Sequence, residues 1–307
     1  MKKYILFPVL LAVSLLTFTS CSEDDLDKQS VITLDQVEYT EFDYWLQANY
    51  VQTYNIDFKY RYEDKESDMN YYTVPADYDQ AIMMAHLVKY LCLEAYDEVA
   101  GPAFTRANFP KKIFSIGEFE YRNNGTFILG TAEGGKKILL TGVNYLNTYI
   151  NNAEVLNTYY FKTIHHEFTH ILNQTKDYSI DYKTITGNDY VADNWSEAPY
   201  AGYDENGNDN NYFLSHGFIT SYAQHSHQED FAEMLSEYVC NPESEWNARL
   251  TKAGTDGARK ITAKLDIVRE YMQTSWGIDI DQMRNVIQRR QNEVAAGKID
   301  LTDLSID

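Results

Sequence analysis

Between Tyr54 and Glu63 the chain reads YNIDFKYRYE, with Ile56, Phe58, Tyr60 and Tyr62 alternating against Asn55, Asp57, Lys59 and Arg61. A period of two predicts a half-buried strand whose apolar side needs a partner layer. From Tyr78 to Val99 the period changes: Ile82, Leu87, Tyr90 and Leu91 fall among the apolar positions of a helix closed by Gly101-Pro102. His86 lies in that helix with no acidic or histidine partner at helical spacing and reads as a packing residue. Lys112 to Tyr121 and Thr126 to Gly142 return to strand character, the second stretch folding at Gly134-Gly135 into a hairpin. Its outgoing arm, KKILLTG, leads through Val143-Asn144 into the next helix, and an edge strand is expected beside that helix.

Asn152 to about Gln174 contains no Pro or Gly, and Phe161, Ile164, Phe168 and Ile171 recur at steps of three and four, as an amphipathic helix requires. Asp177 to Asn211 is rich in Asp, Asn, Gly and Tyr. Its DENGNDNN run, Asp204 to Asn211, lacks the spaced ligands and closing Glu of a calcium loop and reads as a surface turn. A helix follows in SYAQHSHQEDFAEMLSEYV, with Phe231, Met234, Leu235 and Tyr238 as its apolar stripe, and two more around Ile261 to Met272 and Asp281 to Ala295 finish the chain. A few strands packed with several helices make an α+β domain with a small mixed sheet.

With 307 residues, 44% of them hydrophobic, the chain can bury a substantial core. Its opening, MKKYILFPVLLAVSLLTFTSC, has two lysines, an apolar run from Tyr4 to Leu16, and small or polar residues up to Cys21. That is the layout of a secretion signal over residues 1–20, and the run is too short for a permanent span. The end of the signal resembles a bacterial lipoprotein cleavage site, with Thr19 and Ser20 in place and Phe18 where Leu is usual, so Cys21 is the expected lipidated residue. Ser22-Glu23-Asp24-Asp25 resembles the acidic tag that sends Bacteroidetes lipoproteins to the outer face of the outer membrane. Residues 21–34 read as an acidic flexible tether, and 35–307 as the folded domain.

The formal charge of −20 repels nucleic acid and anionic headgroups, so membrane attachment is expected only through lipid on Cys21. Beyond Cys21 only Cys92 and Cys240 remain, which excludes a disulfide framework.

The helix before Asp177 carries TIHHEFTH, Thr163 to His170. At about 100° per residue, its apolar stripe and the pair His166 and His170 point in nearly opposite directions, so the pair faces a cleft when the stripe faces the core. Four residues apart, the two imidazoles can converge on one ion. His165 falls beside the apolar stripe and reads as packing. Glu167 stands on the cleft side in a His-Glu-x-x-His arrangement, where the Glu is the general base and not a ligand.

A catalytic zinc needs a third protein ligand and an open position. Extending the first motif fails unless Asp177 shifts into register, because Asn173 and Lys176 stand where a Gly and a ligand would be needed. The helix after Ser226 offers Glu229 and Glu233 on one face. Glu229 is taken as ligand and Glu233 as the group orienting a ligand imidazole. The competing reading of Glu229 is a capping box, Ser226-x-x-Glu229, and the competing ligand is Glu197 in NWSEAPY. Tyr222, His225 and His227 are all suitable oxyanion donors, and Tyr222 is preferred.

HEFTH followed by EDFAE on a lipoprotein-like chain resembles the gluzincin side of the zinc metallopeptidases. With YNIDFKYRY, GTAEGGKKILL and WGIDIDQMR, it resembles more narrowly the Bacteroidetes substrate import-associated zinc metallohydrolase lipoproteins. The resemblance implies a zincin-like fold with zinc on His166, His170 and Glu229, and Glu167 as base and general acid. It also implies company with a TonB-dependent transporter and a surface-binding lipoprotein. The expected function is a zinc metallopeptidase acting on peptide or protein at the cell surface. The alternatives are a non-catalytic ligand-binding lipoprotein and a zinc hydrolase of a non-peptide amide or glycoconjugate.

Overall fold

A computed structural model describes residues 38–306, apart from 69, 124, 134, 135 and 151. The signal segment, Cys21, the acidic tether and the hairpin tip at Gly134-Gly135 lie outside the described residues. The elements below belong to the unit Thr40–Asp307.

The first helix, α1 (Glu41–Leu46), is closed at its start by a capping box between Thr40 and Asp43 and runs on in wider turns to Gln52. Strand β1 (Asp57–Lys59) follows, far shorter than the alternating run from Tyr54 to Glu63. The alternation itself holds, since Ile56, Phe58 and Tyr60 are buried, but only three residues find a ladder partner in the next strand. Helices α2 (Tyr78–Val88) and α3 (Glu94–Ala100) are joined by wider turns over Lys89–Leu93, so the period-3.6 reading from Tyr78 onward is one nearly continuous rod. It stops at Gly101, whose φ of 83° favours glycine. His86 packs against Trp45 with ring centroids 4.2 Å apart and the rings tilted, a packing role.

The strands that follow are β2 (Lys112–Ser115), β3 (Glu120–Tyr121), β4 (Phe127–Ile128), β5 (Gly130–Glu133) and β6 (Lys137–Leu140). Four of them form a mixed sheet in the order β1-β2-β6-β5: β1 and β6 run parallel to β2, and β5 is antiparallel to β6. A separate short ladder pairs β3 with β4. The KKILLTG arm is therefore interior, and the edge strand beside the helix is the other arm, β5. The reason is visible in burial: Ile138 and Leu140 face the main core while Leu139 packs with Phe114 and Ile116 on the opposite face. A strand covered on both faces reads as a continuous apolar run, as interior strands do.

Helix α4 (Lys162–Thr175) carries TIHHEFTH, with Phe161, Ile164, Phe168 and Ile171 buried. Helix α5 (His227–Cys240) lies against it. Asn157 reaches Cys240, Lys162 reaches Glu237 and Glu233, and His170 reaches Glu229, so ascending residues on one side meet descending ones on the other and the two helices are antiparallel.

The chain closes with α6 (Glu243–Trp276) and α7 (Ile280–Ala295). The start of α6 lies well before Ile261 because its first arm, broken at Gly254 (φ 69°), is largely polar. Gly257 lets α6 cross close to the chain at Leu214, whose carbonyl would lie 2.2 Å from an added Cβ. Cys92 and Cys240 are buried free thiols. Among the described residues, no helix is long and apolar enough to cross a membrane.

Beneath the site, α6 is tied to α5 by a fully buried ion pair, Lys264 Nζ to Asp230 Oδ2 at 2.5 Å. Lys264 also donates to the Gly217 carbonyl, and Tyr190 donates to Asp230. Removing one member strands the other charge in a dry interior. Lys264→Met should lower stability by about 3–5 kcal/mol in urea unfolding; a change below about 1 kcal/mol would show that the pair does not brace α5.

Candidate metal centre and active site

The motif helix presents His166 and His170 from one face because they are four residues apart, and α5 brings Glu229 against them. His166 Nε2 lies 2.9 Å and His170 Nε2 3.1 Å from the same oxygen, Glu229 Oε2, and the two imidazole nitrogens are 3.0 Å apart. Three donors on a tetrahedral zinc with bonds of about 2.0–2.1 Å would stand about 3.3 Å apart. The observed triangle is slightly tighter and of the same shape. Each residue offers one ligand atom, making a His-His-Glu set that could hold a metal ion.

The charges fit a cation too. Burial alone would push the His166 imidazole down, yet the Glu229 and Glu233 carboxylates pull its pKa up to about 10. Burial would raise the Glu229 carboxyl, but its hydrogen bonds to His166 and His170 hold it well below the usual range. A pocket that draws protons this strongly into an imidazole is one in which a positive ion is favoured.

Ser226 caps the helix by accepting from the Glu229 backbone N–H at 3.3 Å. The side chain of Glu229 turns instead to the two imidazoles, so only the backbone half of the capping box forms. Glu233, one turn on, places Oε1 2.9 Å from His166 Nδ1, on the far side of the ring. Its other oxygen accepts from Thr220 at 2.7 Å and from Lys162 at 3.2 Å. Lys162 was not singled out in the sequence, although it stands four residues before His166 and so on its face.

Glu167 is buried at the cleft wall, and burial raises its carboxyl pKa; the charges of His166 and His170 and the backbone N–H of Ala132 oppose the rise. That N–H belongs to edge strand β5. With Thr141 N–H bonded to Leu129 C=O on the inner side, strand alternation turns the backbone groups of Gly130 and Ala132 toward the cleft. Gly130 has to be small, since an added Cβ would meet Thr163 Cγ2 at 2.7 Å and the Leu139 carbonyl oxygen at 2.7 Å.

The cleft measures about 500 Å³, and its walls include Phe127, Trp195 and Tyr222 beside the residues above. The Tyr222 ring stands 6.1 Å from that of His166 and edge-on to Trp195 at 5.0 Å. Burial and the charges of Glu229, Glu233 and Glu167 raise its phenol pKa, so it stays a proton donor. The other two oxyanion candidates are engaged elsewhere: the His227 ring nitrogen is 2.7 Å from Tyr178 OH, and His225 is 3.4 Å from Asp193. Glu197 is exposed and apart from the three donors. His165 is buried against Tyr96, and burial lowers its pKa to about 4, so it is a neutral packing residue.

Residues 35–281 match a family described as "putative zinc-binding metallo-peptidase". The chain belongs to this family. A crystal structure titled as a putative zinc-binding metallo-peptidase from Bacteroides caccae ATCC 43185 is similar at 41% identity, covering 90% of this chain and 100% of that one with a TM-score of 0.72. No curated protein matches the chain. Family and neighbour are both described as zinc-binding, in keeping with the His-His-Glu set. For this family member, Glu233→Gln should weaken zinc binding about 10- to 100-fold by freeing the His166 ring, measured by competition with a chromogenic chelator. Unchanged affinity would mean that Glu233 serves only Lys162 and Thr220.

Proposed function

We propose that the protein is a cell-surface lipoprotein zinc peptidase that hydrolyses peptide bonds. The observation carrying this reading is the position of Glu167, buried between the His-His-Glu triangle and the cleft-facing backbone of β5. A pure binding site has no use for a carboxylate there. When bound, zinc supplies Lewis acidity toward water and a carbonyl oxygen.

The chain's own residues then divide the work. His166, His170 and Glu229 hold the ion, with Glu233 fixing the His166 ring. Glu167 takes the proton of the attacking water and passes it to the departing amine. Tyr222 donates to the oxygen that gains charge. The outer edge of β5 accepts an extended chain through the Gly130 backbone groups, which favours a peptide over a sugar. Lipid on Cys21, the acidic residues after it and the resemblance to import-associated lipoproteins support an outer-membrane location facing outward, beside a TonB-dependent transporter and a surface-binding lipoprotein.

Purified protein lacking its lipid should bind about one zinc per chain, and Glu229→Ala should lose it, as read by metal analysis. No zinc in the wild type after zinc is supplied would sink the catalytic reading in favour of a ligand-binding protein. Glu167→Ala should keep zinc and lose at least about a hundredfold in peptide turnover. Equal turnover in that variant would remove Glu167 from the chemistry.

A further inference from the structure

The cleft has a direction. Gly130 on β5 lies against Thr163 at the start of α4, and Ala132 lies against Glu167 one turn later, so β5 and α4 run the same way past the donor triangle. A peptide added antiparallel to β5, the more stable pairing, has its C-terminal part leaving past Gly130 toward the β3–β4 ladder. That ladder carries Arg122 at its turn, where the Arg122 N–H donates to Thr126 C=O and Gly125 N–H to Arg122 C=O.

Arg122 lines the same cleft as His166, Glu167 and Tyr222. Its counterpart in the cleft wall, Lys162, is committed to Glu233 and Glu237, whereas no ion pair among the described residues involves Arg122. The turn is also well supported. Phe119 packs on Phe127 at 4.8 Å and stacks on Tyr145 at 5.2 Å, and Phe127 meets Tyr159 at 6.0 Å. Beside this aromatic wall, a guanidinium with no ion pair among the described residues lines a cleft that also holds Glu167, Glu229 and Glu233, in a chain with a formal charge of −20. Of the Lys and Arg side chains lining the cleft, Arg122 and Lys162, only Arg122 is left to meet a substrate anion away from the donor triangle.

We infer that Arg122 is a specificity residue that binds a substrate carboxylate on the C-terminal side of the bond to be cleaved. Guanidinium and carboxylate match as a two-pronged pair. The carboxylate can be the peptide's own C-terminus or an Asp or Glu side chain. This inference rests on the peptidase reading and on strand addition at β5.

The test is a set of matched peptides assayed with zinc-loaded wild type, Arg122→Ala and Arg122→Lys. Members carry a free or amidated C-terminus, Glu or Gln after the cleaved bond, and Glu or Gln before it. Wild type should prefer the carboxylate member by about tenfold in kcat/KM for at least one of the first two pairs. Arg122→Ala should collapse that ratio to near one, Arg122→Lys should keep part of it, and added salt should shrink it in the wild type. The pair that responds tells C-terminus from side chain. A ratio near one in the wild type, a ratio untouched by Arg122→Ala, or a response only to Glu before the bond would overturn the inference. Turnover of the neutral amidated members reports on the peptidase reading alone. If no member is cleaved, anisotropy binding of the same labelled peptides to the zinc-loaded proteins decides: loss of the carboxylate preference in Arg122→Ala supports the inference, and equal binding overturns it.

Discussion

The antiparallel contact of α4 with α5 is the constraint on which the site depends. Along that seam three residues of α4 find charge partners on α5: Lys162 with Glu233 and Glu237, His166 with Glu229 and Glu233, His170 with Glu229. Buried charges are costly unless paired, so these contacts favour the observed register. That register sets Glu233 between Lys162 and His166 and Glu229 on both imidazoles. The register that satisfies the charges also closes the donor triangle.

Each helix is held in that register from behind. On one side the apolar stripe of α4 packs Phe168 against Tyr96 and Phe109, with centroids 4.8 and 4.6 Å away. On the other, Phe231 of α5 stacks on Tyr178 at 4.0 Å, and Asp230 is locked to Lys264 of α6. The residues of the His-His-Glu set are therefore placed by neighbours pointing away from it. Positioning of this kind keeps imidazoles and carboxylates oriented without relying on the ion.

The sheet contributes less bulk and sets the direction of the cleft. With β5 antiparallel at the edge of an otherwise parallel sheet, its outer backbone faces α4, and the Ala132 backbone lies beside Glu167. One strand thus lies beside a buried carboxylate and turns the backbone of Gly130 toward the cleft. The aromatic wall around Phe119 and Phe127 continues that edge.

Much of the site was legible without coordinates because it obeys helical periodicity. A four-residue spacing puts His166 and His170 on one face whatever the fold around them, and the opposite apolar stripe dictates that this face looks into a cleft. The same rule set His165 among packing residues and brought Glu229 and Glu233 onto one face of their helix. Strand identity was not legible in the same way. KKILL and GTAE are both short, and which of them lies at the edge depends on whether β6 finds β2 as a second neighbour, a pairing of residues such as Lys112 and Lys137 that are far apart in sequence. The extent of β1 and the true start of α6 failed for the same reason, since ladder partners and a helix crossing at Gly257 are set by distant backbone. Local spacing determined which side chains could share a metal. Only tertiary packing decided that Glu229 turns from its cap to the histidines, that Tyr222 faces the cleft while His225 and His227 do not, and that Arg122 lines it, because each depends on what lies across the cleft.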